Sequence, residues 1–459
     1  MINKITEDNY NRLAATIMEK NSCTYEDALK KLSSLRLGIK CGEKIKSSPS
    51  LQAALVTAIT TGKRCFLGGV FLELPENDIP LLLPFYGKNS LNQFVKELDN
   101  NIQLNGGDEV VSFVLTLGIE PASEEHSLEL VCNGWQGGVK PKGTFVDLEQ
   151  NEHLVIGGVA AGAIGVGLAF LKSSGLDIQC TDKPAGISLW RPELNWLDKE
   201  AGGRSINFLP KQIWLLGLGH LGQAYLWNLT LLPYKKYDGV KVVLQDFDRV
   251  VESNYTAGVL LENEACGRYK TRVCSEWLEA GGFETVIIER KFDSNTRPTD
   301  FEPSIALCGF DNAESRNILE DVGFDLIIEA ALGGTSKLFD DIKIHTFPGA
   351  SKSAMETWGG IANDKPDLNE VVLEKMKYLS EDEECGILPL KLSGKAISTS
   401  FVGVLAGALV IGELVRAVNC NHRYEIIHSQ VRNLKYSKAY YLKDYDIETA
   451  RNGFVGANK

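Results

Sequence analysis

Short apolar runs alternating with helical stretches recur along this 459-residue chain and are clearest after residue 210. Ile213 to Leu216 form an apolar run, GLGHLG follows at 217–222, and QAYLWNLTLL continues as a helix. VKVVLQDFD (240–248) reads as a strand ending in acidic residues, with a helical segment around 262–280 after it. SIALCGFDN (304–312) and DLIIEAALGG (325–334) read as further strands closed by turns. Strands alternating with helices predict an α/β fold: a mostly parallel sheet with helices on both faces.

The first half echoes this order. LELVCNGWQGG (128–138) matches DLIIEAALGG as an apolar run followed by paired glycines, and VIGGVAAGAIGVGLAFL (155–171) matches FVGVLAGALVIGELVR (401–416). KRCFLGGVFLEL (63–74) reads as a degenerate first strand and turn that lacks G-x-G-x-x-G. Gly-Gly after a strand is common in α/β chains, but two matches in the same order favour a worn duplication. The mixed prolines, glycines and charges of 188–210 mark the boundary. Residues 1–190 then form a degenerate half and 191–459 an intact one. Gly138 to Ala161 is 23 residues and Gly334 to Ala406 is 72. The second half therefore carries roughly fifty extra residues in this connection, an insertion at about 350–395 that contains Cys385.

Composition narrows the setting. The two glycine-rich apolar stretches sit near the lower length limit for a membrane span, and the second carries Glu413 and Arg416, so buried core helices are expected. A net charge of −12 gives no basic field for nucleic acid or an anionic membrane. The polar opening, MINKITEDNYNRLAATIMEK, lacks the apolar core of a secretory signal. Ten scattered cysteines without a C-x-x-C pair argue for a reduced cytoplasm and against a tetra-cysteine zinc site.

The candidate chemistry starts at the glycine turn. Gly217 permits the tight bend, Gly219 lets a phosphate approach the backbone, and Gly222 permits close helix packing. Asp246, at the end of the next strand, suits ribose hydroxyls. Nicotinamide, flavin and adenylate enzymes all use such a loop, so these residues alone leave the reaction open. A carboxylate attacking a phosphate needs a lysine and Mg²⁺ to offset repulsion, and a hard cation prefers carboxylate and phosphate oxygens.

GLGHLG, DFDRVVESN (246–254), GRYK ending at Lys270, and DNAESR (311–316) together resemble the ubiquitin-activating superfamily, which includes the ThiF and MoeB sulfur-carrier activators. Its pattern runs G-x-G-G-L-G, D-x-D-x-V-x-x-S-N, G-x-x-K, D-N-x-x-x-R. The likeness covers residues 211–335 closely and 385–420 loosely. It implies two Rossmann-like, ThiF-type halves in one chain, an inactive and an active adenylation domain, arranged as an intrachain version of a symmetric dimer, with a further homodimer left open. It also implies ATP and Mg²⁺ as the reagents. Asp246 and Asp248 fall to the nucleotide, Asn254 and Lys270 to its phosphates, Asp311 to the magnesium, and Asn312 to the same turn. Arg316 is either part of the site or paired with a carboxylate. The family continues S-N-x-x-R, whereas SNYTAG puts Ala257 there. A family arginine reaching ATP from the other half corresponds to Arg12, with Arg36 and Arg64 as rivals.

The resemblance further makes Cys385 a candidate nucleophile for a thioester step; an inert loop thiol is the competing reading. The preceding EDEE raises its pKa, and Lys391 and Lys395 offset that if the loop folds back. Cys308 is expected in the core, and Cys266 is a lesser rival near the phosphates. The implied partners are a ubiquitin-like carrier protein ending in glycine and a ubiquitin-conjugating-type enzyme, with bacterial antiphage conjugation systems offering a similar activating enzyme. The alternatives are a ThiF/MoeB-type sulfur-carrier activator, an NAD-dependent oxidoreductase, and a scaffold that binds nucleotide without chemistry.

Overall fold

A computed structural model of the chain describes residues 11–85, 87–105, 110–122, 125–148, 154–235, 239–333, 335, 337–359, 397–420, 422–442 and 453–457. Two sheets follow one plan. The first contains β1 (Leu37–Cys41), β2 (Val70–Glu73), β3 (Gln103–Leu104), β4 (Phe113–Leu117), β5 (Ser127–Asn133), β6 (Gln136–Lys140) and β7 (Ala185–Ser188). Its spatial order is β3-β2-β1-β4-β5-β6-β7. After β8 (Phe208–Pro210), the second sheet contains β9 (Gln212–Leu216), β10 (Lys241–Gln245), β11 (Glu284–Ile288), β12 (Ile305–Cys308), β13 (Leu326–Leu332), β14 (Asp341–Phe347), β15 (Arg423–Gln430) and β16 (Lys438–Leu442). Its order is β11-β10-β9-β12-β13-β14-β15-β16. In both, pairing is parallel as far as β5 or β13 and antiparallel beyond. β17 (Phe454–Gly456) returns to pair with β8.

Among the described residues the α-helices are α1 (Arg12–Asn21), α2 (Tyr25–Ser34), α3 (Pro49–Gly62), α4 (Leu91–Leu98), α5 (Ile156–Ser174), α6 (His220–Leu229), α7 (Lys270–Ala280), α8 (Ala313–Asn317), α9 (Ala354–Trp358) and α10 (Ser400–Asn419). Each antiparallel hairpin is followed by a glycine-rich helix, α5 or α10. The duplication therefore lies in strand order as well as in local sequence. The connection to α5 is residues 141–155 and that to α10 is 348–399. The latter includes 360–396, and with it Cys385, Lys391 and Lys395, which lie outside the described residues.

One expectation is corrected. KRCFLGGVFLEL is not the first strand of its half: Lys63–Phe66 finish the turn after α3, and Val70–Glu73 form the second strand, β2. Gly68 and Gly69 make the intervening turn, Gly69 at φ +110°, where a Cβ is strained. The true first strand, LGIKC, is five residues long and contains a lysine, so its apolar signal is weak.

α5 and α10 are both long and apolar enough to cross a membrane, yet 89% and 94% of their most apolar windows are buried within the protein. Their small residues let backbones approach. A Cβ on Gly162 would lie 2.5 Å from the Ala54 carbonyl of α3, and one on Gly167 would lie 2.9 Å from Phe401 of α10. One apolar core consequently runs through both halves. Polar links cross the same seam: Trp227 Nε1 donates to Thr57 Oγ1 (3.1 Å), and Ser400 Oγ to the Thr61 carbonyl (3.0 Å).

Candidate nucleotide-binding site

The C-terminal ends of β9 and β12 diverge where the strand order reverses, the place at which open α/β sheets form a crevice. β9 runs into Gly217 at φ +80°, and a Cβ there would lie 2.9 Å from Phe310. Gly219 precedes α6 without a side-chain cap, and nothing lies within 4 Å of a Cβ built on it. The N-terminus of α6 opens on the cavity, where His220 and Leu221 line the wall, and its dipole favours an anion there. Gly222 works differently from Gly217 and Gly219, which line the crevice. Its Cβ would fall 2.0 Å from the Gly217 carbonyl, so it seats the helix behind the turn and does not line the cavity.

The cavity here has a volume of about 720 Å³, within the range of small-molecule sites. Asp246, Asp248, Asn254, Lys270, Asp311 and Asn312 all line it, brought together from segments far apart in sequence. Asp246 braces the glycine turn: Leu218 N–H donates to its Oδ2 (2.6 Å) and Asp248 N–H to its Oδ1 (2.7 Å). Burial pushes this carboxyl above the usual range, against the pull of Lys270 and those two amides. Lys270 opens α7 and its Nζ meets Asp248 Oδ2 at 2.8 Å. Asp248 is therefore a partner of the lysine as well as a wall residue. Asn254 spends Oδ1 on the Val251 amide (3.1 Å) in the 3-10 turn Glu252–Thr256, which Ala257 closes.

Asn312 N-caps α8, its Oδ1 accepting from Ser315 N–H at 2.8 Å. This fixes the turn that presents Asp311. Asp311 is exposed and has no hydrogen-bond or ion-pair partner among the described residues. No group of three or more His, Cys, Asp or Glu side chains among those residues could hold a metal. A magnesium ion carried by nucleotide phosphates and touching one carboxylate fits this donor set, whereas a protein-only cage does not.

Arg316 takes the structural alternative. Its guanidinium donates to the carbonyls of Phe310 (3.1 Å) and Ala330 (3.1 Å), lies 3.5 Å from Glu329 and stacks 4.4 Å above Trp358. Glu329 is wholly buried and also meets His345 Nδ1 (3.0 Å) and Trp358 Nε1 (2.6 Å). The hub ties the Phe310–Asp311 turn to α9. Sequence reasoning missed Glu329, His345 and Trp358, and also His220, Arg290 and Lys291, which line the cavity.

The arginine candidates separate. Arg12 opens α1, which packs beside the Glu252–Thr256 turn. Arg36 lies over Phe71 (5.9 Å) and is absent from the cavity wall. Arg64 is a clamp: fully buried, it reaches from the first half to the carbonyls of Gly258 (3.0 Å) and Leu261 (2.8 Å). It holds the loop behind the site. Cys308 is buried in β12, where desolvation pushes its thiol up, and Cys266 is exposed and outside the cavity lining.

Comparison with known proteins follows the same division. A profile described as the BilD N-terminal domain matches residues 36–189, and one described as the BilD C-terminal domain matches 209–421. A curated relative, the bacterial E1-like protein BilD of Collimonas sp. (strain OK412), is 32% identical over 417 residues, 90% of this chain and 89% of that protein. Similar solved structures include E. coli MccB, at 16% identity over 69% of this chain and 92% of that one, with a TM-score of 0.33. E. coli MccB with AMPCPP and MccA is 13% identical over 70% and 96% of the two chains, also with a TM-score of 0.33. PaaA is 13% identical over 51% and 73%, with a TM-score of 0.32. On the strength of the relative that matches nearly end to end, the chain belongs to the BilD family of bacterial E1-like proteins.

Proposed function

We propose that this protein uses ATP and Mg²⁺ to adenylate the C-terminal glycine carboxylate of a ubiquitin-like carrier protein, and then passes the carrier through a thioester to a conjugating-type enzyme. The observation that carries this reading is the convergence of Lys270 and Asp311 on one cavity above the Gly217–Gly222 turn. A carboxylate oxygen of the carrier attacks the α-phosphorus, and the bond to pyrophosphate breaks. The α6 N-terminus and Lys270 stabilise the negative charge that accumulates on the phosphates. Asp311 would hold the magnesium, which supplies further charge compensation there. In the second step a thiolate attacks the acyl carbon and AMP leaves; Cys385 is the proposed thiol. A cytoplasmic setting is part of the proposal through the scattered cysteines of the sequence. A role in antiviral conjugation is part of the proposal through the resemblance alone.

ATP–pyrophosphate exchange with small glycine-ended carriers tests the first step. Exchange is expected to require both carrier and Mg²⁺. Asp311→Ala should lose about 10-fold, since phosphates and water still hold the ion. Carrier-independent behaviour, or NAD binding in place of exchange, would overturn the reading. For the second step, a thiol-sensitive carrier adduct should form on the wild-type chain and vanish in Cys385→Ala. An adduct that persists in that variant removes Cys385 from the mechanism.

A further inference from the structure

A triphosphate brings several negative charges into a cavity that already contains four acidic side chains, Asp246, Asp248, Asp311 and Glu314. Four basic side chains line the same space: Lys270, Arg290, Lys291 and Arg316. They are not equally available. Lys270 is engaged by Asp248 at 2.8 Å. Arg316 is spent on the Phe310 and Ala330 carbonyls and on Glu329. Lys291 stands 3.9 Å from Glu314, both side chains well exposed. Arg290 differs: its guanidinium has no hydrogen-bond or ion-pair partner among the described residues, although it forms part of the wall. Its backbone is fixed, because Gln245, the last residue of β10, donates from Nε2 to the Arg290 carbonyl at 3.4 Å. β11 ends two residues earlier, at Ile288. An anchored backbone with an uncommitted cation, in a cavity whose other three basic side chains are each engaged, is the arrangement expected of a group awaiting an anion. Guanidinium suits that part, since its planar fork donates two parallel hydrogen bonds to phosphate oxygens.

We propose that Arg290, an uncommitted cation in the wall that also contains Ala257, is a substrate-binding residue that neutralises the triphosphate of ATP. The proposal deepens the adenylation reading and rests on it. ATP affinity of the full-length wild-type chain is measured first, together with exchange; failure there sinks the functional reading itself. Given wild-type binding, Arg290→Ala is expected to raise the KM for ATP at least about 10-fold while kcat stays within about 3-fold, the loss of one charge-assisted contact made in ground and transition states alike. Arg290→Lys should recover only part of that loss, because it restores the charge but not the paired donors. AMP, used as a competitive inhibitor, should weaken much less than ATP. An unchanged KM in Arg290→Ala overturns the proposal. So does equal weakening of AMP and ATP, which would assign Arg290 to the nucleoside end of the nucleotide.

Discussion

Replacing Lys270 with methionine should cut carrier-dependent ATP–pyrophosphate exchange by about 100- to 1000-fold, the scale seen when one preorganised charge or donor is removed from a transition state. Stability should barely follow. Lys270 is nearly buried, at 9% side-chain exposure, but the Asp248 carboxylate it meets is 48% exposed. When the lysine goes, water solvates that carboxylate, and the folding cost of a partly exposed pair is below about 1 kcal/mol. Methionine also keeps most of the aliphatic stem against the first turn of α7. Exchange kinetics and a melting curve on the same sample separate the two effects. Exchange within about threefold of wild type would mean that Lys270 serves only to steady Asp248.

That prediction leans on residues that could be read from the chain, and it is useful to ask why they could. Gly217 and Asp246 each directly follow a strand end, so their positions are local consequences of the β–turn–α pattern, while Lys270 opens the next helix at the end of a motif-bearing connection. The same holds for Asn312, whose capping bond spans three residues. The two apolar helices were legible because almost every face is buried, leaving no polar stripe. Gly222, read from the sequence as the glycine that permits close helix packing, has that place in the structure, where a Cβ would lie 2.0 Å from the Gly217 carbonyl.

What escaped reading is held by long-range contact. Arg64 reaches Gly258 and Leu261 across 194 and 197 residues, and nothing near KRCF announces that destination. Glu329, His345, Arg316 and Trp358 come from four different elements and meet only when the β13–β14 hairpin and α9 close over α8. A buried carboxylate among apolar neighbours in DLIIEAALGG looks like a strand interruption until its three donors are seen. Arg290 lies in no motif of the sequence, and only the cavity wall brings it beside the glycine turn's residues. The misplaced first strand has the opposite cause: the apolar residues of KRCFLGGVFLEL belong to two elements split at Gly68 and Gly69.

The second large effect is expected on stability, at the seam between the halves. Arg416 of α10 lies between the rings of Trp190 (4.5 Å) and Tyr424 (4.4 Å), with its Nε 3.2 Å from Glu413 Oε2. Glu413 also accepts from the Tyr424 amide at 2.7 Å, and Arg423 faces it from β15. Both members of the pair are buried. Burial, only partly countered by Arg416, raises the Glu413 pKa to about 7. The unfolded chain gives up this proton near the ordinary value of 4.5, so from there up to about pH 7 the native state binds more protons than the unfolded state. Stability from this group is thus greatest at low pH and declines as pH rises through that window. Arg416→Met, which still fills the aromatic slot, leaves the buried carboxylate with Arg423 but without its hydrogen-bonded cation, and breaking a buried pair in this way costs up to about 3–5 kcal/mol. The penalty should be close to full at pH 8 and smaller at pH 5, where Glu413 takes up a proton. Adding Glu413→Gln to Arg416→Met should return much of the loss at pH 8 and little at pH 5. Denaturant midpoints of the three chains at both pH values decide the matter: a penalty for Arg416→Met that is identical at pH 5 and pH 8 would show that the aromatic stacking, and not the ion pair, holds this seam.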